Sequence, residues 1–240
     1  RAEVCLGIKT TTEDLTGEVL EESNIDDIDI DKIKDILQTL IGEIEQTPPI
    51  YSAVKVKGKK LYEYARAGKF DVEIPSRKVN IYDIEFIEGS DYYKDNKFYF
   101  SINISCGKGT YVRTIATDIG KKLNLPSTMS KLTRTRSGKI ELDNCLTLSE
   151  VEQLLEKNKL EEKLLKKEYA LEEYQFVEIP KFRAQQVMNG LRFRKDQFPD
   201  YDFTDGIVFT YQSEAIAIYY LKNPDDELLY VKTTFPKIIE

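Results

Sequence analysis

The sequence predicts an α+β protein: a mixed, largely antiparallel sheet flanked by helices, with a small β-rich unit behind it. Three observations predict this class. Residues 98–106, FYFSINISC, place Phe98, Phe100, Ile102, Ile104 and Cys106 on one face and Tyr99, Ser101, Asn103 and Ser105 on the other, the period-two signature of a half-buried strand. Just beyond, Val112, Ile115, Ala116, Ile119 and Leu123 recur at the spacing of a helix with one buried face. Near the end, 206–210, 214–221 and 228–234 read as successive short strands beside one short helix.

In chain order, residues 1–9 form an alternating strand and 10–17, TTTEDLTG, a polar loop. Residues 31–42, DKIKDILQTLIG, set Ile33, Ile36, Leu37, Leu40 and Ile41 at helical spacing, with Asp31 as cap and Gly42 as stop. Pro48 and Pro49 break the chain, 51–56 is a short strand, and 59–67 is a helix ended by Gly68. Residues 75–87 alternate imperfectly, as a long strand with a bulge does. Thr110 caps the helix that follows, 131–140 is a further strand, and 147–157 opens a charged helical stretch ending near Tyr169. Pro180 starts a helix that Gly190 stops. The expected units are 1–170 and 174–240.

With 41% hydrophobic residues, 240 positions suffice for a real core. No run approaches the roughly 18 apolar residues that span a bilayer. Cys5, Cys106 and Cys145 stand far apart with no C-x-x-C pair, which argues against a disulfide framework or a thiolate zinc site and fits a reduced cytosol. The absence of histidine excludes a Ser-His-Asp triad, a Cys-His pair and an H-E-x-x-H metal site built from this chain. Acid-base chemistry therefore falls to carboxylates, tyrosine, lysine or water. Net charge is −7, but its distribution matters more than its sum. Residues 13–45 hold twelve acids against Lys32 and Lys34, whereas 104–139 hold eight cations against Asp118 alone and 55–69 hold six against Glu63. Two basic segments that share glycines and aromatics are features of a polyanion site.

The sharpest feature is the corner at 105–113, SCGKGTYVR. A phosphate-loop reading fails, because G-x-x-x-x-G-K-[ST] requires Gly where Ile102 stands and Ser or Thr where Gly109 stands. A glycine turn between strand and helix explains the glycines alone. It does not explain Arg113 in the helix's first turn, where the macrodipole is already positive and an anion is needed to compensate. Lys108 lies one turn earlier, and Tyr111 adds a flat ring with a phenol that donates or accepts a proton.

Four blocks in order, LGIKTTTEDLTG (6–17), QTPPIYSAVKVKGKKLYEYARAG (46–68), SCGKGTYVRTIATDIG (105–120) and LTRTRSG (132–138), resemble the bacterial TruB-type tRNA pseudouridine synthases. The resemblance covers roughly residues 1–155, and the tail from about Gln175 is similar to the PUA-like RNA-binding barrel of that family. It implies a pseudouridine-synthase sheet, a cytoplasmic enzyme that isomerises the T-loop uridine of tRNA (position 55) to pseudouridine, a tRNA T-stem-loop as partner, and no metal or cofactor. No membrane or protein partner is implied.

The family's nucleophile is an aspartate in a Gly-x-Leu-Asp-Pro segment, which these residues lack; Leu142-Asp143 is followed by Asn144 and does not take the role. The expectation is that an N-terminal segment carrying it, and an early uridine-pocket tyrosine, precede Arg1. By resemblance, Arg113 pairs with that aspartate, Tyr111 stacks on the flipped uracil as a candidate general base, and Leu132 contacts the base. Charge alone adds Lys108, Lys55, Lys59, Lys60 and Arg134 as phosphate contacts. The alternative is an RNA-binding or RNA-folding module without catalysis.

Overall fold

The computed structural model describes residues 1–237 and Ile239. They fall into two units, Arg1–Thr135 and Arg136–Glu240.

The first unit runs β1 (Ala2–Leu6), β2 (Ile8–Thr10), β3 (Val19–Glu22), α1 (Ile30–Gln38), β4 (Gly42–Gln46), β5 (Lys55–Val56), β6 (Lys59–Lys60), α2 (Leu61–Arg66), β7 (Arg77–Phe86), β8 (Tyr92–Lys94), β9 (Lys97–Cys106), α3 (Val112–Leu123) and β10 (Ser127–Leu132). One sheet has the order β10-β1-β9-β7-β4 with β8 added to β9, and every pairing in it is antiparallel. Its apolar face meets α1 and α3 in a single core, where Val4, Leu6, Phe98, Phe100 and Ile102 pack with Ile33, Leu37, Ile115 and Ile119. Each such side chain contributes about 1.5–3 kcal/mol of burial, so the two helices are held by the stripes their sequences spell out.

The alternating run at 98–106 is therefore a central strand as expected, and β7 carries its bulge between Ile81 and Asp83. Five local assignments differ. Asp29, not Asp31, caps α1 by accepting the Lys32 amide, and Gly42 begins β4 instead of ending the helix. Tyr111, not Thr110, is the N-cap of α3, because the Thr110 hydroxyl is spent on the Gly107 carbonyl within the turn. The expected strand at 131–140 resolves into the end of β10 and, in the second unit, a separate hairpin. Expected residues 59–60 of the α2 helix instead pair as β6 with β5.

Helix α3 lies tightly on β10. A Cβ at Gly120 would overlap Ser127 and stand 2.7 Å from the Leu125 carbonyl oxygen, and Ser127 Oγ donates to the Ala116 carbonyl at 2.8 Å.

The second unit runs β11 (Arg136–Ser137), β12 (Ile140–Glu141), α4 (Leu148–Glu156), β13 (Gln175–Glu178), α5 (Lys181–Met188), β14 (Ile207–Tyr211), β15 (Glu214–Tyr220) and β16 (Tyr230–Thr234). Its four-stranded sheet, β13-β14-β15-β16, is parallel at β13 and β14 and antiparallel beyond. Phe193, Phe198, Phe209 and Tyr219 form an aromatic core, and burial pushes the Tyr219 phenol up to about 12. The expected division at 170–174 falls inside this unit: Leu171 packs on Val208, Ala215 and Ile218, and Glu168 accepts the Ala215 amide at 2.6 Å. Ile238 and Glu240, the end of the expected barrel at 174–240, lie outside the described residues.

Candidate active site

The strand-to-helix corner is fixed from several sides. The Gly107 amide donates to the Asn80 carbonyl of β7 at 2.8 Å, and Gly109 turns the chain at φ 89°, a conformation that favours glycine. Tyr111 follows, half-buried, with no side-chain cap on the helix it opens. Its backbone is held by Gln46 at the end of β4: the Gln46 Oε1 accepts the Tyr111 N–H at 2.7 Å and Nε2 donates to its carbonyl at 3.0 Å. The Arg77 guanidinium lies 5.0 Å from the Tyr111 ring centroid and donates to the Gly109 carbonyl.

Arg113 points back across the corner. Its Nη1 donates to the Thr12 carbonyl at 2.7 Å and to Asp14 Oδ2 at 3.2 Å, and its Nη2 donates to the Tyr51 carbonyl at 2.9 Å. The compensating anion is thus Asp14, inside this chain, where a carboxylate from elsewhere was expected. The pair is one-sided: a guanidinium carries five N–H donors, and these bonds use three of them. Both partners are about four-fifths buried, at 20% and 21% side-chain exposure.

Asp14 and its neighbour Glu13 titrate in opposite directions. Burial pushes Asp14 upward, but the hydroxyls of Thr16 and Thr12, the Thr16 amide and Arg113 outweigh it and hold the carboxyl below its ordinary 3.8. Glu13 is raised above 4.5 by burial, which the Thr114 hydroxyl at 2.8 Å and Arg113 only partly offset. An ionised Asp14 beside a permanent cation makes a fixed dipole at the mouth of α3.

Of the residues expected from the sequence, Tyr111 and Arg113 share this corner, and Lys108 lies exposed in the turn before it. Lys55, Lys59 and Lys60 stand on the β5–β6 hairpin, with Lys55 opposite Lys60, and Lys60 donates to the Tyr62 hydroxyl at 3.3 Å. Leu132 ends β10 opposite Ala2 and is 53% exposed, with Arg134 exposed beyond it. No hydrogen bond or ion pair among the described residues joins these cations or Leu132 to Tyr111 or Arg113. A cavity of 580 Å³ beside the hairpin is lined by Lys57, Tyr64, Lys69 and Phe70 and includes neither Tyr111 nor Arg113. Among the described residues no group of His, Cys, Asp or Glu is arranged to hold a metal ion, and no helix is long and apolar enough to cross a membrane.

Asp14, Gln46 and Arg77 were not singled out from the sequence. The one local signal was for Asp14, a lone aspartate among Thr10, Thr11, Thr12 and Thr16, hydroxyls suited to holding an ionised carboxylate. Gln46 and Arg77 lie 65 and 34 positions before Tyr111 and carry no local signal.

The sheet order and the loop-borne corner define a pseudouridine-synthase fold. The chain superposes on a chain of a Cbf5-Nop10-Gar1 complex with TM-score 0.62 at 20% identity, over 97% of its own length and 66% of that chain. An archaeal box H/ACA Nop10-Cbf5 structure gives TM-score 0.58 at 17% identity, over 99% and 69%. The sequence itself matches the TruB family pseudouridylate synthase N-terminal domain over residues 1–112 and the tRNA pseudouridylate synthase B C-terminal domain over 113–172. It is 45% identical over 230 residues to tRNA pseudouridine synthase B of Staphylococcus aureus strain MSSA476, covering 94% of this chain and 74% of that protein, and equally so to the protein of strain JH9. The chain belongs to the TruB family of pseudouridylate synthases.

Proposed function

We propose that the protein isomerises uridine 55 in the T loop of tRNA to pseudouridine, and that its aspartate nucleophile comes from a segment outside these 240 residues. The observation that carries this is the corner itself, a half-buried tyrosine two residues from an arginine whose planar fork is fastened on one edge by Asp14, Thr12 and Tyr51. An arginine so fastened presents its remaining donors in a fixed direction, suited to a second carboxylate that must stay ionised to attack.

Chemistry on a base inside a stacked loop requires extrusion, which costs a few kcal/mol. Stacking on one aromatic ring returns about 1–3 kcal/mol, the part assigned to Tyr111, with Leu132 against the base. The carboxylate then attacks the nucleoside, the N1–C1′ bond breaks, the uracil turns, and C5 bonds to C1′. The C5 proton leaves, with the Tyr111 phenol as its base, and N1 gains one, so the reaction is a net isomerisation. Lys108, Lys55, Lys59, Lys60 and Arg134 supply phosphate contacts, and the small C-terminal unit supplies further RNA surface.

The 240-residue chain alone should bind a T-arm stem-loop in filter or fluorescence titration and form no pseudouridine, whereas the complete protein should modify position 55. Pseudouridine formed by the rigorously purified chain would mean that the nucleophile lies within it. A complete protein that binds the stem-loop and modifies nothing would favour an RNA-folding module instead.

A further inference from the structure

Resting on the reading of Tyr111 as the ring that meets the target base, we infer that Gln46 and Arg77 are positioning residues that together fix this tyrosine, one by its backbone and the other by its ring. They face each other as the last cross-strand pair of β4 and β7, so one rung of the sheet aims both side chains at residues 109–111.

Gln46 is 1% exposed. A carboxamide carries a donor and an acceptor side by side, and here the two engage the N–H and C=O of the same residue. Gln46 thereby acts as a neighbouring strand would, restraining both dihedrals of a residue that sits outside regular structure. Arg77 completes the grip. Its guanidinium covers one face of the Tyr111 ring at 5.0 Å while tethered to the Gly109 carbonyl, which leaves the other face and the phenol edge for a ligand. The Arg77 Nε is buried with no partner among the described residues, so ring and carbonyl, not a carboxylate, set where this guanidinium lies. The same loop that begins at Gln46 reaches Tyr51, whose carbonyl holds Arg113, so the tyrosine and the arginine are registered to one segment.

The test uses the complete synthase labelled with 3-fluorotyrosine, the Tyr111 resonance being identified by its loss in Tyr111→Phe. Gln46→Met keeps the side-chain length and removes both hydrogen bonds; it and Arg77→Met should each shift or broaden that resonance. Turnover on a T-arm stem-loop should fall about 10- to 100-fold in Gln46→Met while RNA Kd changes less than about threefold. That loss should be smaller in the Tyr111→Phe background, where the phenol's share is already gone and only the misplaced ring remains, since residues acting through one another do not add in full. A Tyr111 resonance unmoved in both Met variants, each folded by circular dichroism, overturns the positioning role, and so does a turnover loss that adds in full to that of Tyr111→Phe. A resonance that moves while turnover holds overturns instead the reading of Tyr111 as the base-facing ring. Should either Met variant fail to fold, Gln46→Glu, which keeps the acceptor, and Arg77→Lys take its place, and the same shifts and turnover losses support or overturn the role.

Discussion

Helices α3 and α4 begin in opposite ways. At α4, Thr147 Oγ1 accepts the Glu150 amide at 3.2 Å and Glu150 reaches back to the Thr147 amide at 2.7 Å, a capping box that serves the helix's own first turn. At α3 no side chain caps the helix, no acid stands in the first turn, and Arg113 occupies it. Orphan amides and a macrodipole make that arrangement locally unfavourable. What offsets it arrives from far along the chain: Gln46, Arg77 and Asp14 are each more than thirty residues from Tyr111. The start of α4 completes itself locally, whereas the start of α3 is completed by its surroundings.

The largest effect that would sharpen this contrast belongs to Arg113→Lys. A point charge cannot span Thr12, Asp14 and Tyr51 as the planar fork does, so turnover should fall about 10³-fold, far more than the accompanying drop in melting temperature accounts for. Normal turnover in that variant would dissolve the distinction between the two helix starts. Next is Tyr111→Phe, where removal of the phenol should cost about 10²-fold in turnover and leave stem-loop affinity nearly unchanged; equal losses in both would mark a mere contact. Asp14→Asn should destabilise the protein by about 1–2 kcal/mol in urea titration at neutral pH.

The acid limb of the stability curve carries the sign. Asp14 is depressed below 3.8 on folding, so its contribution is present above that value and is lost as pH falls through the lower, folded one. Its removal should flatten that limb. Glu13, raised above 4.5, works the other way, its penalty growing as pH rises through its folded value. The smallest effect is Thr147→Ala, about 1 kcal/mol of stability by thermal melting with turnover untouched.

Much of the fold was legible because burial writes a period into sequence. β9, α3 and the core stripe of α1 were read from apolar spacing alone. β4 was not, because Gly42-Glu-Ile-Glu-Gln is an edge strand with only Ile44 and Gln46 turned inward. β3 is exposed throughout and β8 is a three-residue edge, so neither has a buried face to reveal it. Asp29 took the cap expected of Asp31 because two acids one turn-step apart both suit the role. At the site, Tyr111 and Arg113 stood out because a cation at a helix start contradicts local electrostatics. Gln46 contradicts nothing locally; an uncharged amide at a strand end shows its purpose only when the fold brings residue 111 against it.

Gly120 extends this dependence to the rear of the molecule. It lies about 10 Å along α3 from Arg113, and there is no room on its side of the helix for even one more carbon. Any added bulk would lift the whole rod off the strand beneath and carry its far tip along. A lone hydrogen there therefore lets the rod that carries Arg113 at its other end lie flush on its strand.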